Sequence, residues 1–405
     1  MTLDETEMLE ANAFVHPHYM PKDVETRTAI DLLADGLGLG EREKYVCALS
    51  SFVVACKTAN GKDSNLIAFP GNANYYAGTG FGFKVATKTR DALIESGYLK
   101  QIQKSQKGYS AVYEFSKMDL SGQYVSQITW PIRVREGKKQ GQKRGFLLQR
   151  DHCRKRFKGR YMEAESRVKK LNKTYSDHPL SSPDGLSWGG AHRVFNDGRL
   201  DRGGRLYGDW QQLKESDRLK LTIDGEQVAE IDITACFLFI ASALAGCPIT
   251  RRDPYSAIPW VKGKATRDLS KRLIASIIST DGPLSKFPRG VRDEFSIPKK
   301  DSLSDYQDPI LETFPVLRDL LTAGLEVMFR ESETVFATIE ALATDGVVAY
   351  PVHDCLLVQK AHWELAAAVL LGQLQSDYGS MPWLTVGFRD EQEKGIDPER
   401  FLGDT

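Results

Sequence analysis

The chain has 405 residues, enough for two or three domains that each bury a core. Its composition, 41% hydrophobic, 27% charged and 10% aromatic, excludes a disordered or fibrous chain, and it holds no run of 18 apolar residues that would span a membrane. Lys+Arg and Asp+Glu both total 54, so net charge points to no partner and its distribution has to be read instead.

Residues 1–24 begin MTLDETEMLEANAF, acidic rather than signal-like and without periodicity, and read as a tail. The six cysteines show no CxxC pair and no zinc-ligand spacing with the seven histidines. They read as reduced thiols of a soluble, cytoplasmic protein.

Residues 25–118 form the first module. From Ile30 to Cys56 the pattern is helical, with Tyr45, Leu49, Phe52, Val53 and Cys56 on one stripe. The turn-rich KTANGKDSNLIAFPGNAN follows, then a helix in TKTRDALIESGYLKQI with Thr87 as N-cap and Gly97 as its stop. YLKQIQK and SAVYEFSK alternate and are joined by a polar turn at Lys107-Gly108. Helices, a Gly stop and a hairpin in this order resemble a winged helix-turn-helix. That resemblance implies that the helix bearing Lys88, Thr89 and Arg90 enters a DNA major groove while Lys104 and Lys107 touch phosphates. A winged helix used for protein contacts stays open as an alternative.

Residues 119–186 read as a basic helical connector with a very short thumb. Between Arg133 and Arg160, RVREGKKQGQKRGFLLQRDHCRKRFKGR carries twelve Lys/Arg against the two acids Glu136 and Asp151. Such a surplus suits a phosphate-backbone track, with Phe146, Phe157 and Tyr161 interleaved as stacking needs. A solvated basic linker is the competing account.

The rest, 187–405, holds the chemistry. In VAEIDITACFLFI the first half alternates like a strand, so Glu230, Asp232 and Thr234 share a face, and the second half reads as buried. A carboxylate there is costly unless it is paired or binds a metal. In VVAYPVHDCLLVQ two strand-like runs flank His353-Asp354, a hairpin tip where Asn-Gly or Asp-Gly would be favoured because both central residues need positive φ. A poor turn made of a polar pair points to function. Arg267 and Lys271 lie four apart on a helix in ATRDLSKRLIASIIST, suited to a triphosphate. Gly203-Gly204-Arg205 permits close backbone approach and aims a guanidinium. Glu331 and Glu333 read as the polar face of a helix, Glu230 as a partner for a nearby arginine, Trp210 as core.

In their order these segments resemble the palm and fingers of family A DNA polymerases and of single-subunit RNA polymerases, over about Phe195 to Val358. GGRLYG is similar to the motif opening the polymerase core, DWQQL with Gln212 to the stretch before the first catalytic strand, and EIDITACF to motif A. DPYSAI is similar to a short motif between A and B, the helix of Arg267 and Lys271 to motif B, and PVHDCLLV to motif C. The set FN, GGR-Y-G, E-D and VHD is also similar to phage and mobile-element replication proteins. The resemblance implies an α+β chain, with an N-terminal winged helix and a palm of antiparallel sheet with inserted helical fingers over 187–405. It implies a DNA polymerase acting on a primer–template with nucleoside triphosphates and two Mg²⁺ or Mn²⁺ ions. Asp232, Asp354 and the Ile233 carbonyl would be ligands, and Arg267 and Lys271 would bind the triphosphate. Arg205, Gln212 and His353 would hold primer or template, and Phe237, five residues after Asp232, would exclude a ribose 2′-hydroxyl. No acidic cluster before residue 130 suits a proofreading exonuclease, and low processivity suggests an accessory protein.

The departures are specific. Motif B places rings one and two turns after its lysine, where this chain has Ala275 and Ser279. DNA polymerases of the family follow the motif C aspartate with glutamate, where this chain has Cys355. Two alternatives stay open: a non-catalytic DNA-binding replication initiator with a degenerate palm, and a small RNA polymerase or primase.

Overall fold

The computed structural model describes residues 13–403 except 17, 41, 77–79, 106–109, 117, 129, 138–145, 280–283 and 320–323. The chain is α+β, and its backbone divides into two units interleaved along the sequence. The first comprises Met1–Pro131, Glu165–His192 and Gly208–Gln212; the second comprises Ile132–Ala164, Arg193–Tyr207 and Leu213–Thr405. Among the described residues, no helix is long and apolar enough to cross a membrane.

In the first unit the helix Val24–Gly36 starts at Asp23, whose carboxylate accepts the Thr26 N–H at 2.7 Å. The next helix, Glu43–Asn60, buries the expected stripe but also Val46, Cys47, Ala48, Ser50 and Ser51. It packs against the helices Val24–Gly36 and Phe83–Glu95 and against the strands Tyr19–Pro21 and Leu66–Phe69, so it has no solvent face over most of its length. The third helix begins at Phe83, a turn earlier than Thr87; the Thr87 hydroxyl instead donates to the Phe83 carbonyl at 2.9 Å. It ends as expected, with Gly97 at φ 75°. The strands Ala13–Phe14, Leu66–Phe69, Ala111–Phe115 and Leu99–Gln103 form one sheet in that order, and the turn at Lys107-Gly108 lies outside the described residues. Phe69 joins sheet to helices, 5.9 Å from the Phe52 ring and 6.3 Å from that of Tyr113. Trp210 is fully buried.

The stretch 119–186 contains strands as well as a helix, among them Tyr124–Ser126 and Leu180–Ser181 in the first unit and Ile132–Glu136 and Phe146–Leu147 in the second. The helix Arg150–Asp177 is interrupted at Lys158, φ 46°. Arg154, Lys155, Arg156, Lys158 and Arg160 are exposed along it. Tyr161 is no stacking platform, for it is fully buried and its hydroxyl donates to the Ile132 carbonyl at 3.2 Å.

The second unit is built on an antiparallel sheet in the order Ala349–Val352, Cys355–Gln359, Glu226–Ile233, Leu384–Phe388, Lys394–Ile396. Its middle strand, Glu226–Ile233, buries Val228, Ala229, Ile231 and Ile233. The helix Trp363–Tyr378 packs on this strand and on Cys355–Gln359, the backing expected of HWELAAAVLLGQL. FLFI does not continue the strand. Ala235 turns the chain at φ 52°, and Cys236–Leu244 is a helix. The helices Lys264–Ser279 and Ser304–Thr313 meet over an apolar cluster that includes Leu269, Leu273, Ile277, Ile310 and Phe314. A long helix, Gly324–Thr344, crosses the strand Gly203–Tyr207 and packs on Cys236–Leu244.

Gly203 and Gly204 have φ of 74° and 78°. A Cβ on Gly204 would stand 2.8 Å from Arg193 Nη2 and 3.0 Å from Phe195 Cε1. Gly204→Ala is therefore expected to destabilise by at least about 1 kcal/mol. Gly263→Ala, which meets open space, should stay within about 0.5 kcal/mol of the parent. Chemical denaturation of the two variants checks the difference.

Candidate active site

The ladder between Glu226–Ile233 and Cys355–Gln359 places Asp232 directly opposite Cys355. Val352 pairs with Cys355 across the hairpin, leaving His353-Asp354 as the tip. His353 takes φ 60°, and Asp354 has no positive φ, so this turn needs one left-handed residue rather than the two of an Asn-Gly tip. By contrast, the nearby turn at Asp224-Gly225 is left-handed at both positions, with φ of 52° and 84°. The tip brings one donor atom each from Asp232, Asp354 and Cys355 within 4.8 Å of one another. The Cys355 thiol donates to Asp232 Oδ1 at 2.8 Å.

The electrostatics of this group are unfavourable to two anions. Burial first, and the facing Asp354 second, push the Asp232 carboxyl up to about 7, while Cys355 and Lys271 pull it down. Burial also raises Asp354, against the pull of Arg205. Two carboxylates that hinder each other's ionisation fit a divalent cation, which would relieve the repulsion. Ile233, expected to lend its carbonyl, is the last residue of the strand and lies opposite Leu384. The residues present fit such ions, with Cys355 as a softer donor beside the oxygens.

Arg205 does not project freely toward a nucleic acid. Its Nε and Nη2 donate to Glu331 at 2.6 and 2.7 Å, and its guanidinium lies 5.1 Å from the Phe237 ring centre. Glu331 is thus no part of a polar helix face: it is 1% exposed. Burial, more than any other influence, raises its carboxyl to about 7. Glu333 accepts from Arg193 Nη2 at 2.6 Å. Arg193 escaped the sequence reading. It is 2% exposed, sits between the Phe195 and Phe336 rings, and donates to the Gly204 carbonyl at 2.6 Å. An arginine beside the apolar Val194 and Phe195 in the strand HRVF was the available signal. Glu230, by contrast, takes the role read for it, accepting a two-point contact from Arg218 with one bond at 2.9 Å.

On the helix Lys264–Ser279, Arg267 and Lys271 both lie over the Tyr255 ring, at 5.3 and 5.8 Å. Arg267 is paired with Asp253 at 3.1 Å. Lys271 is exposed, makes no ion pair among the described residues, and lies close enough to act on Asp232. Ala275 and Ser279 are exposed on the same helix. His353 stands edge-on to Tyr207 at 5.9 Å, and burial, ahead of Arg205 and Arg218, lowers its ring to about 4, so it is neutral. Gln212 is exposed at the end of the short helix Asp209–Gln212, which belongs to the first unit. Also in the first unit, Lys88 is exposed with its amine 5.5 Å from the Tyr45 ring. Arg90 is tied to Asp91 and stacks on Phe69 at 5.1 Å, and Thr89 is fully buried.

No family model matches the chain, and no curated protein matches it. Among solved structures it is similar to the POL domain of Pol1 from M. smegmatis in complex with DNA primer-template and dNTP. The two share 12% identity over 62% of this chain and 57% of that one, with a TM-score of 0.29. The chain therefore spans little more than half of that domain, and so distant a likeness carries no residue across.

With Asp232 and Glu331 raised to about 7, the native state holds protons that the unfolded chain has released above about pH 4. The cation-free protein is expected to lose stability as pH rises from about 4 through about 7. Mg²⁺ or Mn²⁺ should restore stability on the alkaline side. Thermal unfolding midpoints across this window check both signs, and Asp232→Asn should flatten the slope.

Proposed function

We propose that the chain is a template-dependent DNA polymerase, serving the replication of a phage, plasmid or mobile element and lacking a proofreading centre. The observation that carries this reading is the convergence of Asp232, at the end of a strand, and Asp354, at the tip of the neighbouring hairpin, with Lys271 acting on Asp232. The sequence order GGRLYG, EIDITACF, the Arg267–Lys271 helix and PVHDCLLV supports it.

Bound divalent cations would activate a primer 3′-hydroxyl and neutralise charge on the triphosphate. Asp232 and Asp354 would hold them, with the Ile233 carbonyl. Lys271 would bind phosphate oxygens directly, and Arg267 would do so from its seat against Asp253 and Tyr255. Phe237 would close the sugar pocket against a 2′-hydroxyl, which favours deoxynucleotides over a primase or transcriptase reading. His353, uncharged and backed by Tyr207, would orient the hairpin tip against the primer. The exposed basic residues from Arg154 to Arg160, and Lys84, Lys88, Lys100 and Lys104 in the first unit, suit phosphate-backbone contacts. The reading of residues 25–118 as a winged helix-turn-helix draws support from the helix–hairpin order.

A second reading, a DNA-binding replication initiator without catalysis, is favoured by Ala275 and Ser279. Neither offers a ring to a base from the helix that carries Lys271.

Primer extension by the purified chain separates the two readings. Templated incorporation of dNTPs with Mg²⁺ or Mn²⁺, abolished by Asp232→Ala and by Asp354→Ala, is the expected outcome. Folded, DNA-binding protein that extends no template leaves the initiator reading. Lys271→Ala should raise the nucleotide KM by roughly 10- to 100-fold, the loss of a charge-assisted contact. Phe237→Ala should narrow the preference for dNTP over rNTP by roughly one to two orders of magnitude.

A further inference from the structure

Arg205 interacts with two carboxyl groups on different elements. Glu331, on the long helix, takes two of its N–H bonds, at 2.6 and 2.7 Å. Asp354, at the hairpin tip, follows His353, whose ring lies 5.9 Å from that of Tyr207 on the strand of Arg205, and it acts electrostatically on Arg205. One guanidinium cannot make a two-point pair with both.

Nor is the Arg205–Glu331 pair needed to join strand to helix. The neighbouring residues already do so: Arg193 donates to the Gly204 carbonyl at 2.6 Å, to Ser332 Oγ at 3.2 Å and to Glu333 at 2.6 Å, and Ser332 Oγ donates to the Gly203 carbonyl at 3.1 Å. With the register set there, a second ion pair one residue along, whose carboxylate is wholly buried, is an extra cost of desolvation. What it supplies is a fixed place for a cation that would otherwise neutralise Asp354.

We propose that Glu331 is a positioning residue: by holding Arg205 it keeps that guanidinium from closing on Asp354, leaving Asp232 and Asp354 open to divalent cations, and it keeps the guanidinium over the Phe237 ring. The proposal rests on reading the two aspartates as the cation site. Glu331 itself touches neither substrate nor ion. Both of its oxygens are engaged by Arg205, so the two-point bonding of the guanidinium is directed to Glu331 and not to Asp354.

The test is Mn²⁺ binding by the full chain, read from the electron paramagnetic resonance signal of the free ion, without DNA or nucleotide. Glu331→Gln keeps the shape and removes the charge. Arg205 then turns to Asp354, and Mn²⁺ affinity should fall about tenfold or more. Adding Arg205→Gln to that variant removes the competing cation and should bring affinity back to within about threefold of wild type. Simple damage to the fold predicts no such rescue. If Glu331→Gln does not fold, Glu331→Asp, which keeps the charge but is too short for both bonds, should show a smaller loss, again recovered by Arg205→Gln.

Unchanged Mn²⁺ affinity in either folded single variant overturns the proposal, as does a double variant no better than the single. Wild-type protein that binds Mn²⁺ no better than Asp232→Ala and Asp354→Ala overturns it too, by a distinguishable route, because the cation-site reading itself then fails. A positive result shows in addition as weaker dNTP-over-rNTP selection in Glu331→Gln, since Phe237 loses the guanidinium that lies over it.

Discussion

The structure of the second unit depends on one unfavourable contact: two aspartates, one on a strand and one at the tip of the adjacent hairpin, both largely withdrawn from water, share a space a few ångströms across. Left alone, such a pair would titrate as a neutral acid and a carboxylate or would pull the hairpin away from the strand. The surroundings restrain it without cancelling it. Cys355 gives Asp232 a hydrogen bond, Arg205 draws on Asp354 from a distance, and Lys271 approaches from the neighbouring helix. Arg205, the cation that acts on Asp354, is itself bonded to Glu331. Two carboxyl groups held this close at such a cost in solvation suit a divalent ion.

Around that contact the scaffold is stiff. The strand of Asp232 is paired on both edges, by Cys355–Gln359 and Leu384–Phe388, so Asp232 cannot relax by bending away. The helix after it starts at once through the left-handed Ala235, which sets Phe237 against Arg205. Strand Gly203–Tyr207 lies so close to Arg193 and Phe195 that glycine is required beside the arginine it presents. Two arginines from neighbouring strands, one buried and one half-buried, thus reach the same helix, one to set its register and one to meet Glu331.

Much of the site was legible in the sequence because it is written in local terms. Alternation in VAEIDI, a poor hairpin tip at His353-Asp354 and a helix with cations four apart require no knowledge of the rest of the chain. The pairing of Glu230 with an arginine was equally accessible, since a carboxylate inside an apolar strand needs a partner. Boundaries fared less well. The helix before Gly97 begins a turn earlier than the Thr87 cap suggests, because threonine in a helix can bond back to a carbonyl instead of capping. FLFI, uniformly apolar, carries no period to distinguish strand from helix.

By itself the sequence determined which residue types could do chemistry and on what kind of element each would lie: Asp232 on a strand, His353-Asp354 at a tip, Arg267 and Lys271 on one helix face. Tertiary structure alone decided who meets whom. Arg205 and Glu331 are 126 positions apart, and Arg193 and Glu333 are 140 apart. Nothing in GGRLYG or MFRESETVF reveals that they close on each other. Tyr161, read beside the basic run as a stacking ring, became core, and Glu331, read as a polar face, became the most deeply buried acid of the site. The physical reason is the same in each case. Periodicity reports which side of an element is apolar, but the partner of a buried charge is chosen by the packing of distant segments, and that choice leaves no trace in local pattern.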